Sequence, residues 1–379
     1  MLLSNPFKPD PRVYKEAKTL SHNGYEIVIF AWDREGGFKK NEEINGIEIK
    51  RIQIISKYGT GLKQIFKLLL FWMRTYQFLR KEDFEIVHCH DFDTLPIGVI
   101  VSEIFRKKIF FDVHDFYFTH FLQRRGLNKF FGYLIKGLEK ILVKRVDGLI
   151  AATPGLSRYY DKIISSNTPM EVIYNFAEKS HFNKIKREAI KEFTISYIGS
   201  VRYPKQLINL FEATRDLVGV KVLVVGGGID LFRIAQVALN YKQVDLHESV
   251  PYEDIPKFYE RSNVIYAVSD ASSLNVKVTY PIKVFEAMIC GLPVIVNRGT
   301  DAGEFVESNK IGFIVNGNNI NEIRKLVSQL KNNPGLCQET GKNAKNLAER
   351  KYCWENISGK LIDFYNKSLR NKSFCLLIS

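Results

Sequence analysis

The chain has 379 residues, 45% of them hydrophobic and 25% charged, enough for two domains that each bury a core. Its longest apolar run, "LLLFWM" at 68–73, lies between Lys67 and Arg74, which excludes a membrane-spanning helix of about 20 residues. Five scattered cysteines without a C-x-x-C pair exclude a disulfide framework and a structural zinc site, and a formal charge of +14 implies an anionic partner such as nucleic acid, acidic lipid or a phosphorylated substrate.

Met1 leads directly into "LLSN", which has no basic n-region or cleavage site, so a cytoplasmic chain without a signal peptide is expected. The segments "MLLSN", "YEIVIFAW", "IEIKRIQI", "FEIVHCH", "KIFFDVH", "GLIAAT" and "MEVIYNF" read as strands. Helical stretches such as "VYKEAKTLSHNG" separate several of them. After a lysine-rich linker, "YNFAEKSHFNKIKRE", the rhythm restarts with "FTISYIGS", "VKVLVVGGG", "VDLHESV", "VIYAVSD", "PVIVN" and "GFIV". Strand and helix in alternation predict an α/β fold of two Rossmann-like domains, residues 1–185 and 186–353, facing each other across a cleft. A helix over about 354–370, with Trp354, Ile357, Leu361 and Phe364 on one face, is expected to pack back on the first domain.

Ligands of open parallel sheets bind beyond the carboxyl ends of the strands. There the chain places Asp91 and Asp93, His114 and Asp115, Arg202 and Lys205, the glycines 226–228, and Lys283 with Glu286. The last two lie in "YPIKVFEAMICGLPVIV", a short helix ended by Gly291 and Pro293 and followed by a strand, where a lone acid among apolar neighbours suits hydrogen bonding to a ligand. "DFD" at 91–93 has the spacing of a metal-binding D-x-D but follows a strand of the first sheet, and no metal is expected on it. "GGG" at 226–228 lacks the G-x-G-x-x-G spacing of dinucleotide binding and fits a tight turn instead.

Six blocks, "DPRVYKEAKTLSHNGYEIVIFAWDR", "HCHDFDTLPIG", "FFDVHDFY", "VIYNF", "YIGSVRYPKQLINLFEA" and "YPIKVFEAMICGLPVIV", resemble in order those of the retaining nucleotide-sugar glycosyltransferases of family 4, which have the GT-B fold. The resemblance implies an acceptor-side first domain and a second domain that binds a UDP- or GDP-linked sugar, with no further cofactor and no metal. It implies that Glu286, the second glutamate of the E-x7-E motif, accepts hydrogen bonds from the donor ribose. Lys283, Gly199 and Pro281 belong to the same donor site, Arg202 and Lys205 hold the diphosphate, and His114 lies near the reacting sugar. Asp115 and Arg12 fall on the acceptor side. One departure stands out: the position of the first motif glutamate is Val278, which bears on the donor sugar.

What the resemblance implies as function is a metal-independent hexosyltransferase moving a sugar, with retained configuration, to a glycan or lipid-linked acceptor in cell-envelope polysaccharide or glycolipid synthesis. A sugar-nucleotide epimerase of the same fold and a non-catalytic sugar-nucleotide binder are the alternatives. No nucleic-acid motif is present. Residues 63–145 hold 15 basic against 9 acidic side chains. On helical projection Lys63, Lys67, Arg74 and Lys81 share a face with Phe71 and Phe78 beside them, opposite Ile65, Leu68, Trp72 and Leu79. Lys129, Lys136, Lys140 and Lys144 share a face with Tyr133, opposite Phe131, Leu134, Leu138 and Leu142, with Arg124 and Arg125 just before. Two such stripes suit an anionic membrane surface and a peripheral position on the inner face of the cell membrane.

Overall fold

The computed structural model describes residues 1–8, 10–56, 62–122, 126–182 and 191–370. Arg124, Arg125, Cys375 and residues 183–188 of the lysine-rich linker lie outside these residues, as does the side chain of Lys63. The chain divides into two compact units: Met1–Tyr174 together with the segment from Ser358 on, and Asn175–Ile357.

The first unit is built on an eight-stranded sheet in the order β3-β4-β2-β1-β5-β6-β7-β8. Its strands are β1 Leu2–Leu3, β2 Val28–Asp33, β3 Asn41–Ile44, β4 Ile47–Gln53, β5 Ile86–His90, β6 Lys108–Val113, β7 Gly148–Ala151 and β8 Met170–Val172. All pairings are parallel except β3 with β4. That hairpin turns at Asn45-Gly46, both at positive φ (52° and 78°), the geometry that asparagine and glycine adopt most readily. It is an addition to the expected strands. The inner strands are near-continuous apolar runs because helices cover both faces, and β6 is buried from Ile109 to Val113. Its helices are α1 Pro11–His22, α2 Leu62–Leu79, α3 Leu95–Phe105, α4 Thr119–Leu122, α5 Leu127–Leu142 and α6 Pro154–Tyr160.

The second unit has six parallel strands in the order β11-β10-β9-β12-β13-β14. They are β9 Phe193–Ile198, β10 Val220–Val225, β11 Val244–His247, β12 Val264–Tyr266, β13 Val294–Asn297 and β14 Gly312–Val315. Renumbered from β9, this is the order 3-2-1-4-5-6 of dinucleotide-binding folds, in which the direction of winding reverses between the first and fourth strands. The helices are α7 Lys179–Phe182, α8 Pro204–Thr214, α9 Leu231–Ala238, α10 Ile255–Glu260, α11 Leu274–Val278, α12 Ile282–Ile289, α13 Asp301–Ser308, α14 Ile320–Asn332 and α15 Pro334–Arg350. Ile195, Val222, Tyr266 and Ile295 of the strands pack with Leu207, Phe211 and Val327 of the helices in its largest core.

The last helix, α16 Trp354–Arg370, spans the division between units. From Ser358 on it belongs to the first unit, where Phe364 and Tyr365 pack edge-on against Phe110 at 5.2 and 4.9 Å between ring centroids.

The orientation of α2 and α5 departs from the projection. Phe71 of α2 is fully buried, stacked on Trp32, and the buried side runs through Phe71, Thr75 and Leu79 rather than through Ile65. In α5 Leu134 and Leu138 are exposed, while Gly132 and Glu139 are buried and Lys136 lies half-buried over the Phe118 ring. A projection fixes the angles between side chains but not which arc meets the sheet.

Candidate functional site

In the first unit, the ends of β5 and β6 carry a set of charges bound to one another. Asp112 is the acid inside the apolar strand β6, and it is fully buried. Arg12, in the first turn of α1, meets it fork to fork. Nε donates to Oδ2 at 2.9 Å and a terminal nitrogen to Oδ1 at 2.6 Å, while the other terminal nitrogen donates to the Ile173 carbonyl at 2.8 Å. Helix α1 is started by Asp10, whose side chain accepts from the Arg12 and Val13 amides, and this fixes the turn that carries the guanidinium. Arg12 is only 3% exposed, so its head group is committed to Asp112 and does not face an acceptor as expected from the resemblance.

His114 follows β6. Its Nε2 donates to Asp112 Oδ2 at 2.8 Å, and its Nδ1 lies 3.2 Å from Asp91 Oδ2. Asp91 holds its backbone at φ 62° and also accepts from the His114 amide at 3.1 Å. With a carboxylate at each ring nitrogen the imidazole is cationic: burial opposes the charge, but Asp91 and Asp112 outweigh it and raise the pKa well above the usual value. Burial likewise pushes the Asp112 carboxyl upward, and Arg12 and His114 outweigh that and hold it well below the carboxylate range.

Behind this pair lie Glu16, His88 and His90. Burial, reinforced by Asp112, lifts Glu16 to about 8. His88 and His90 stack at 4.3 Å and are kept neutral chiefly by burial. The Nδ1 of His88 meets the Tyr365 hydroxyl at 2.5 Å, and that of His90 meets Asp112 Oδ2 at 3.2 Å. Among the described residues, Glu16, His88, His90 and Asp112 form the group that could hold a metal, with one donor atom each within 4.8 Å of the others. The Arg12 guanidinium, bound to both Asp112 oxygens, already supplies the positive charge that an ion would bring there.

The other expected residues of this unit are more dispersed. Asp115 accepts from His120 at 3.1 Å on the surface side of the same loop. Asp93 of the "DFD" segment is 4% exposed and lifted to about 6 by burial, while Asp91 is engaged with His114.

In the second unit, Gly199 ends β9 at φ 127°. The glycines after β10 lie directly against it: a Cβ on Gly226 would fall 2.0 Å from the Gly199 carbonyl oxygen, and one on Gly228 would fall 2.5 Å from that of Val201. The Gly199 amide bonds Val225 and the Val201 amide bonds Gly227, so "GGG" serves as the floor of the β9 loop. Lys283, in the first turn of α12, reaches this loop, within 3.4 Å of where a Gly199 Cβ would stand. Its ammonium lies 3.5 Å over the centre of the Tyr197 ring. Burial draws it down to about 7, with Glu286 opposing. Pro281 caps α12 in extended backbone. Arg202 and Lys205 are exposed on the same loop and at the start of α8, and Arg202 Nε donates to Ser200 Oγ at 3.1 Å.

Glu286 sits within α12 and is 4% exposed. Its oxygens accept from the hydroxyls of Tyr252 at 3.1 Å and Tyr259 at 2.6 Å. Hydroxyl donors at both oxygens orient the carboxylate. Val278, the last residue of α11, stands where the motif would have its first acid.

Sequence reasoning missed Asp112, Glu16, His90, Tyr197, Tyr252 and Tyr259. Two signals were available. An acid within the strand "IFFDV" needs a buried partner, and the alternation in "HCH" puts both histidines on one face of β5.

Comparison with known proteins follows the division into units. Residues 12–180 match the family model Glycosyltransferase Family 4, and residues 178–347 match Glycosyl transferases group 1. An uncharacterised glycosyltransferase of Methanocaldococcus jannaschii is 24% identical over 357 residues, 87% of each chain. The N-acetyl-alpha-D-glucosaminyl L-malate synthase of Bacillus anthracis is 23% identical over 252 residues, which cover 62% of this chain and 64% of that one. Among solved structures, sucrose-phosphate synthase from Thermosynechococcus elongatus is similar with a TM-score of 0.79, 17% identity and 98% of each chain covered. Anabaena HepE in complex with UDP and glucose is similar with a TM-score of 0.72, 14% identity and 96% and 98% covered. At these identities the structures bear on the fold.

Proposed function

The chain belongs to the glycosyltransferases, its two family matches together running from residue 12 to 347, and from that premise we propose that it moves a hexosyl group from a UDP- or GDP-linked donor to a glycan or lipid-linked acceptor with retained anomeric configuration. The observation that carries this reading is Lys283: a lysine 9% exposed, against a glycine loop at the carboxyl end of β9, with Arg202 and Lys205 exposed on the same loop and helix start. Such a place suits a diphosphate, whose charge would restore the proton that burial draws from the ammonium.

Cleavage of the bond between anomeric carbon and phosphate leaves charge on the diphosphate, and Lys283, Arg202 and Lys205 stabilise it without a metal or other cofactor. Glu286, oriented by its two tyrosines, accepts the ribose hydroxyls. His114, fixed as a cation between Asp91 and Asp112, serves the reacting sugar by charge and orientation. Asp115 remains an acceptor-side candidate, whereas Arg12 acts behind His114. The acceptor hydroxyl attacks from the leaving-group side and the departing phosphate takes its proton. Work in cell-envelope glycan or glycolipid synthesis from the inner face of the membrane completes the reading.

A thermal-shift screen of nucleotide sugars tests the donor, since a ligand of the folded state raises its stability by mass action. Product analysis with the best donor then tests the reaction. Sugar transfer that requires an added acceptor is expected. Interconversion of the donor alone would identify an epimerase, and a thermal shift without turnover would identify a binder.

A further inference from the structure

Helices α2, α3 and α5 lie side by side, with α3 in contact with both. Their outer surfaces are unusual for a protein of this charge. Of the twenty large apolar side chains exposed among the described residues, thirteen stand on these three helices. On α5, Leu127, Phe130, Leu134, Leu138 and Ile141 are 44–71% exposed and recur at steps of three and four, so they form one stripe along a helix of 16 residues. On α2, Phe66, Leu69 and Met73 are 47–74% exposed at the same spacing. Between them α3 adds Ile100 at 47% and Ile104 at 57%.

Charge decides what such a surface can meet. Helix α2 contains no acid, and the one acid of α5, Glu139, is buried on its opposite side. The exposed charges on α2 and α5 are therefore all cations: Lys67 and Arg74, and Lys129 and Lys140 with Lys144 just beyond. The only outward acid of α3 is Glu103, held by Arg145 at 2.8 Å. Apolar stripes edged by lysine, without acids, match the two layers of a bilayer surface, acyl chains below and anionic headgroups above. A second copy would bring the same cations against these, a like-charge contact.

We propose that the α2–α3–α5 face is a membrane-insertion surface, with the apolar stripes of α2 and α5 sunk to the acyl boundary of an anionic bilayer and the lysines at headgroup level. This deepens the reading of a membrane-borne acceptor and rests on it for its purpose, but not on the identity of the donor. It replaces a surface held by charge alone with one held mainly by apolar burial, and the two differ in their response to salt.

Flotation of the full chain with vesicles of phosphatidylcholine, alone or mixed with phosphatidylglycerol, tests it. Binding is expected on the mixed vesicles, with a substantial fraction surviving about 1 M salt, where the Debye length is about 3 Å. The combined change Phe130→Ser, Leu134→Ser and Ile141→Ser should lower partitioning more than tenfold at both salt levels. Phe66→Ser with Met73→Ser, on the other helix, should lower it severalfold. Nucleotide-induced thermal shift, read in the same samples, reports that each variant is folded. Complete loss of binding in high salt, wild-type binding by the serine variants, or a concentration-dependent dimer in place of vesicle binding would each overturn the proposal. A protein that floats as expected but answers to no nucleotide would instead sink the donor reading and leave this one standing.

Discussion

The carboxyl ends of the two sheets are both rich in buried charge, but they handle it in opposite ways. At the ends of β5 and β6 in the first unit the charges face one another: Arg12 with Asp112, Asp112 with His114, His114 with Asp91. In the second, Lys283 rests on an aromatic ring and a glycine loop, and Glu286 is answered by neutral hydroxyls. The first arrangement is electrostatically finished, and it holds one histidine in a fixed state. On the proposed reading a ligand completes the second, because a cation desolvated to a pKa of about 7 gains most when an anion arrives.

Substitutions should separate the two. The largest effect is expected from Asp112→Ala, which strands the Arg12 cation in the interior and should cost about 3–5 kcal/mol in denaturant unfolding. Replacing the pair together, Arg12→Met with Asp112→Leu, should cost clearly less. If the single and double changes cost the same, the charges are not closed on each other as described. The counterpart in the second unit is Lys283→Met, which should leave stability unchanged or slightly raised. It should also weaken nucleoside diphosphate binding by about 1.5–3 kcal/mol in calorimetry, the scale of a hydrogen bond to a charged group. A large loss of stability with intact binding would reverse the comparison.

pH offers a finer probe, because the shifts have opposite signs. Lys283 is depressed to about 7, so between there and its ordinary value near 10.5 the unfolded chain binds the extra proton and stability rises with pH. His114, Glu16 and Glu139 are raised, so their contribution is complete below their unfolded values and is lost as pH rises through the folded ones. Diphosphate affinity should therefore fall as pH climbs above about 7, by at most about tenfold per unit, and Lys283→Arg should flatten the fall. Affinity equally steep in the arginine variant would show that another group titrates.

A last probe is Glu139, fully buried under α5 and lifted to about 8 mainly by burial. Glu139→Gln should remove up to about 1.4 kcal/mol per pH unit of the alkaline decline across 4.5 to 8. Melting curves at pH 5 and pH 8 check this. An unchanged difference between them would mean that the carboxyl reaches water.

Much of the fold is legible because both sheets are written in apolar runs of strand length separated by amphipathic helices. The helix and strand of "KVFEAMICGLPVIV" follow from Gly291 and Pro293 alone. The β3–β4 hairpin had a signal in "NG", yet its strand, "NEEI", is polar enough to pass for a loop. The Arg12–Asp112 pair was beyond reach for another reason. Its members are 100 residues apart, and nothing local says that a cation in α1 and an acid in β6 meet. Glu286 and Lys283 were found because each breaks an apolar helix, whereas Tyr252 and Tyr259 pass in sequence as ordinary core aromatics. The outward faces of α2 and α5 were misjudged because lysine and phenylalanine can each lie on a boundary between water and core.

The path of α16 bears on how the protein is made. The first unit is interrupted at Tyr174 and resumed only at Ser358, with the whole of the second unit strung between. On the ribosome, then, the β5–β6 sheet emerges early but must wait for Phe364 and Tyr365, which cover Phe110 and His88. The second unit, continuous in sequence, can close first. Nascent chains halted before Ser358 are expected to resist protease over residues 193–350 and to be cut readily before Tyr174. Of the two units, the one whose chain begins earlier is thus the one that matures later, and its buried histidines remain open to solvent until α16 has been made.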